Sequence, residues 1–197
     1  SVSTSRINAL LQHEIGTHLL TYFNASEEPF GVLAYGLAGY NELQEGLAVL
    51  AEYLSDGLTL QRLKMLAGRV VAVKSLLDGA DFIETFRLLN KSFGFAQHTA
   101  FTMTSRIYRS GGLTKDAIYL KGFCTLLEYL KKGGTLDPLL VGKIALDQLR
   151  LIQELLSRKV IKPAVLVPRY LENETARIKL ERIREGATLS DIILNAY

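Results

Sequence analysis

The residues in this chain best suited to chemistry are His13-Glu14-Ile15-Gly16-Thr17-His18, an H-E-x-x-x-H run close to the first residue. Imidazole nitrogens are standard zinc ligands, and catalytic zinc sites use three protein ligands while leaving a fourth position open to water. A glutamate beside the first histidine can then accept the proton of that water. The run is one residue longer than the familiar H-E-x-x-H helix, and the extra residue has a geometric consequence. In a regular α-helix, positions i and i+5 lie roughly 140° apart, against roughly 40° for i and i+4. Two histidines so divergent could not share an ion. A local turn with i→i+5 bonding absorbs the added residue, so the spacing predicts a π-turn or distorted turn within residues 13–18, eased by the permissive backbone of Gly16.

A third ligand is expected from a following helix. The segment NELQEGLAV, residues 41–49, offers Glu42 and Glu45 in the first turn of a helix over 42–55, with Asn41 as its N-cap and Asp56-Gly57 as its end. The more exposed of the two carboxylates, taken to be Glu42, would merely complement the helix N-terminus. Gly46, beside Glu45, would let two helix backbones approach closely.

Around these residues the chain reads as one mostly helical domain. Apolar positions Ile7, Leu10, Leu11, Ile15 and Leu19 recur at helical spacing over 4–22. Further helices are expected over 59–77, 81–92, 95–109, 115–131, 144–158 and 173–185. LSDIILNAY forms a last short helix, and the end of the chain (173–197) is a charged helical tail. GVLAYGLA (31–38) is expected to be an edge strand or extended loop, so the fold class is mainly α with few short strands. The composition, 48% hydrophobic and 22% charged, suits a globular domain with a real core. No apolar run approaches the ~18 residues of a membrane span. The net charge of +3 makes no case for nucleic acid. The single cysteine, Cys124, excludes an internal disulfide, fits a reducing, cytoplasmic setting, and reads as a core residue rather than a nucleophile. The chain lacks an initiator Met and opens directly in helical pattern, so it is read as a piece of a longer protein.

HEIGTH followed by QEGLA resembles a bacterial family named for the QEGLA motif and described as modulators of flavohaemoglobin expression. The pair is also similar to the catalytic domain of the microtubule-associated tyrosine carboxypeptidases. The resemblance implies a zincin-like metallopeptidase with one zinc ion on His13, His18 and Glu45, and with Glu14 as catalytic base. It continues through SRIYRSGGLTKDAIYLKG (105–122), matching Arg106, Arg109, Lys115, Asp116, Tyr119 and Gly122. It also implies that an N-terminal part of the family domain precedes these residues. A carboxypeptidase must hold a free C-terminal carboxylate, which an arginine fork does bidentately. Arg106 is the first candidate, followed by Arg109 and Lys115, while Tyr119 could hydrogen-bond the oxyanion. The expected partner is thus a peptide or protein C-terminus. His98, with no neighbour at ligand spacing, is read as structural. Two rival readings are an aminodipeptidase, whose third-ligand motif QEGLA does not match, and a non-enzymatic regulatory domain with a structural zinc.

Overall fold

The computed structural model describes residues 4–109 and 115–194. Helices account for nearly all of its regular structure, and no strand occurs among the described residues. The expectation of a few short strands is therefore overturned. At 31–38 the chain makes a single turn of helix, Val32–Tyr35. Leu33 and Ala34 are both buried, which suits one face of a helix and not the alternation of a strand. Gly36, at φ +116°, ends that turn. The segment is tied down by two backbone bonds with Lys143, Lys143 N–H to Leu33 O (2.8 Å) and Leu37 N–H to Lys143 O (2.9 Å).

The chain divides into two compact units, one formed by 1–59 with 121–197 and the other by 60–120. In the first unit, α1 (Thr4–His13) continues through a π-helical turn, Glu14–Leu19, into α2 (Leu20–Ser26). The short α3 (Val32–Tyr35) leads to α4 (Tyr40–Leu54). Helix α4 is the most deeply buried element, with every residue from Leu43 to Glu52 enclosed. It starts two residues earlier than expected. Gly39, left-handed at φ +80°, occupies the N-cap and no side chain caps the helix, so Asn41 lies inside the first turn. Its end is as expected, with Asp56 left-handed at φ +59° and Gly57 N–H bonding back to Glu52 O at 2.8 Å.

The second unit packs α5 (Leu60–Leu77), α6 (Phe82–Arg87) with a π-turn at Leu88–Ser92, and α7 (Gln97–Tyr108). Its core gathers Ala72, Val73, Leu89, Phe95, Met103 and Ile107. Asp81 and Glu84 form a reciprocal capping box that starts α6. The helix α8 (Lys115–Lys131) begins in this unit and ends in the first. The glycine loop expected just before it, at 110–114, lies outside the described residues. The first unit is completed by α9 (Leu149–Ser157), α10 (Glu174–Arg184) and α11 (Leu189–Leu194). The charged tail is not merely solvated, because Ala176, Leu180 and Ile183 of α10 are buried. Among the described residues no helix is long and apolar enough to cross a membrane.

The close approach expected at Gly46 is present, and it is made with Gly122 of α8. A Cβ on Gly46 would run into the backbone of Gly122, and one on Gly122 into the carbonyl of Glu42. The crossing is braced by Lys121 with Glu42 (2.7 Å) and by Thr125 Oγ1, which donates to Glu42 at 3.2 Å. Gly46→Ala must therefore displace a backbone and not a flexible side chain. It is expected to destabilise the protein by about 1–3 kcal/mol, read as a lower denaturation midpoint. An unshifted midpoint would show that the two helices can part freely.

Candidate metal centre

The centre is assembled by two helices running antiparallel. Arg6 and His13 of α1 meet Glu52 near the end of α4, while His18 and Thr21 meet Gln44 near its start. Between the two histidines the helix is π-wound from Glu14 to Leu19, the distortion that the five-residue spacing requires. Thr17 marks it by donating its hydroxyl to Gln12 O, five residues back, at 3.0 Å. Burial pushes the nearby Tyr170 phenol above the ordinary range, with Thr17 pulling the other way. Gly16 contributes less than expected. A Cβ there would meet only the end of the Gln12 side chain, at 2.6 Å, and the residue needs no left-handed backbone.

The wider turn brings the imidazoles edge to face, with centroids 5.1 Å apart and planes at 81°. His13 Nε2 stands 3.7 Å and His18 Nε2 3.6 Å from the same oxygen of Glu45, Oε2. His13, His18 and Glu45 each offer a ligand atom, all within 4.8 Å of one another, so the three could hold a metal ion. His13 and Glu45 are buried, each about 6% exposed, while Glu14 is exposed.

The far sides of the rings decide which nitrogens carry protons. His13 Nδ1 lies 2.8 Å from Glu52 Oε1, and His18 Nδ1 lies 3.2 Å from Gln44 Oε1. Both partners are oxygens that accept, so in each neutral ring Nδ1 is the donor and Nε2 keeps its lone pair. Both lone pairs are then on the Glu45 side. This donor set, two imidazole Nε2 atoms and one carboxylate oxygen with every Nδ1 engaged, fits zinc. Gln44 and Glu52 were not singled out from the sequence. The available signal was spacing on α4, since Glu52 follows Glu45 by seven residues and shares its face.

In the metal-free protein the same groups share protons. Burial by itself would lower His13, but the carboxylates of Glu45 and Glu52 outweigh it and hold the imidazole up at about 9. Burial would raise Glu45, and His13 and His18 outweigh that, holding it down at about 2.

The remaining sequence candidates belong to the second unit. Arg106, on α7, donates from Nε to the buried carboxylate of Asp116 at 2.5 Å. Arg69 lies 3.6 Å from the same carboxylate and sits over the ring of Tyr119, 5.6 Å from its centroid. Burial lowers Arg69, and the nearby Arg106 and Arg62 lower it further against the pull of Asp116. Met65, Arg69, His98, Thr102 and Arg106 line a pocket of about 210 Å³. Arg109 and Lys115 are exposed, at the end of α7 and the start of α8. His98 is exposed and belongs to no metal-binding cluster found among the described residues. Cys124 is half-buried, and burial, with Glu128 nearby, raises its thiol above the usual range, which does not suit a nucleophile.

The shifted groups set a pH window for the metal-free protein. His13 rises from 6.5 to about 9, so its stabilisation is complete below 6.5 and is lost as pH climbs through 9. Glu45 falls from 4.5 to about 2, so its contribution is complete above 4.5 and is lost as pH drops through 2. With a chelator present, urea denaturation should show these two contributions together at their fullest between pH 4.5 and 6.5. A His13→Asn variant should lose the decline between pH 6.5 and 9.

A family model described as microtubule-associated tyrosine carboxypeptidase matches residues 1–187. No curated protein matches the chain.

Proposed function

The chain belongs to the microtubule-associated tyrosine carboxypeptidase family, and on that premise we propose that it is a zinc-dependent metallocarboxypeptidase releasing a C-terminal residue. The observation that carries this reading is the convergence of His13, His18 and Glu45 within 4.8 Å, with exposed Glu14 adjoining the first ligand. Zinc held by those three residues would supply Lewis-acid chemistry, polarising the scissile carbonyl and bringing the pKa of water near 7.

The chain's own residues do the rest. Glu14 accepts the proton of the attacking water and delivers it to the leaving amine nitrogen. Arg106, its guanidinium plane fixed by Asp116, takes the substrate's terminal carboxylate, supported by Arg109 and Lys115. Tyr119 donates to the developing oxyanion. The cytoplasmic setting expected from the lone cysteine goes with this reading.

Glu14→Gln separates chemistry from metal binding. It is expected to lower turnover of a free-acid peptide by about 10²–10⁴-fold while the zinc content of the purified protein stays unchanged, whereas His13→Ala should lose the zinc. Full hydrolytic rate in Glu14→Gln sinks the proposed mechanism.

Recognition of the chain end has its own test. A peptide with a C-terminal amide should resist cleavage while its free acid is trimmed by one residue, as read by mass spectrometry. Arg106→Met should reduce kcat/KM on the free acid by about ten- to a hundredfold, the loss of a charged hydrogen bond. Trimming from the amino end would transfer the protein to the aminopeptidase class.

A further inference from the structure

Helix α4 supplies more than one ligand. Gln44 precedes Glu45 and faces His18, while Glu52, two turns further along, faces His13. The two imidazoles therefore have different partners on their far sides, a neutral amide for His18 and a carboxylate for His13. Glu52 is completely buried and is bound on both oxygens, Oε1 to His13 Nδ1 at 2.8 Å and Oε2 to Arg6 Nη1 at 2.8 Å.

A carboxylate enclosed in this way is poorly explained by stability alone. Bringing an ion pair out of water costs about as much as the pairing returns, and an apolar side chain of similar volume commonly does as well. The position is better explained by what Glu52 touches. Its acceptor oxygen requires His13 to carry its proton on Nδ1, which places the lone pair on Nε2, the nitrogen beside Glu45. The negative charge also makes that nitrogen a stronger electron donor than its counterpart on His18. Arg6 holds the second oxygen and so fixes the plane of the carboxylate.

We propose that Glu52, held by Arg6, is a positioning residue that orients the His13 ring and strengthens its Nε2 as a metal ligand, making His13 the stronger of the two imidazole donors. This rests on the reading of His13, His18 and Glu45 as a metal site.

The test uses the whole chain and two metals. Glu52→Gln keeps the shape of the side chain and an acceptor oxygen but removes the charge. It is expected to weaken zinc binding ten- to a hundredfold in chelator competition and to shift the visible absorption bands of the cobalt-loaded protein. Equal affinity with unshifted bands overturns the inference. The wild type gives a second reading that does not depend on a variant folding. Long-range proton–nitrogen NMR of the zinc-loaded protein should show His13 protonated on Nδ1 and bound through Nε2. Binding through Nδ1 would overturn the assignment of Glu52 outright. Wild-type protein that takes up neither zinc nor cobalt would instead overturn the metal site itself, and this inference with it.

Discussion

Two imidazoles five residues apart on one helix can face the same point only if the helix between them is wound more widely than an α-helix. Everything else at the centre follows from that winding. With the turn Glu14–Leu19 in π form, His13 and His18 come to one side and both present Nε2 to a single oxygen of Glu45. A π-turn gives up regular i→i−4 bonding, and its cost has to be met by contacts elsewhere. Here Thr17 bonds back to Gln12, and Thr21 bonds Thr17 O at 2.8 Å. The distorted turn is thus enclosed by hydroxyl contacts placed to satisfy it.

Burial is a second constraint, since His13 and Glu45 are enclosed while Glu14 reaches solvent. His13 and Glu45 lie within the first unit, and polar groups there are tolerated only with partners. Helix α4 supplies several of these partners, with Gln44 Oε1 facing His18 and Thr21 and Glu52 facing His13 and Arg6 on the neighbouring helix. That packing requires α4 to be enclosed on other sides as well. The glycine pair Gly46 and Gly122 lets α8 press against it with no side chain between. The site therefore depends on residues that have no chemistry of their own.

Most of the helices were legible in the sequence, because their apolar periodicity and their Gly, Asp and Pro boundaries are local signals. The π-turn was legible for a different reason: the H-E-x-x-x-H spacing makes no sense on a regular helix. Glu45 and Gly46 could be read because QEGLA places them together. What could not be read was long-range. Glu52 sits 39 residues from His13, and although its spacing from Glu45 puts it on the same face, only the antiparallel pairing of α1 and α4 reveals its partner. Residues 31–38 misled because a short apolar run between glycines is compatible with either a strand or one helical turn. Burial of the adjacent Leu33 and Ala34 decided for the turn. The cap at Gly39 was missed because Asn41 offered a conventional side-chain cap, while the left-handed glycine two residues earlier ends the preceding loop without one.

The spacing within the motif also separates the proposed base from the ligands. Successive residues of a helix point in different directions, and Glu14 does not follow His13 into the buried cluster. Glu14 accordingly stays exposed, while the carboxylate drawn into the cluster comes from another helix. Glu45 and Glu14 carry the same functional group, and burial distinguishes them. The first is buried beside two imidazoles, which hold it down at about 2 against the effect of burial. The second stands exposed at the start of the π-turn.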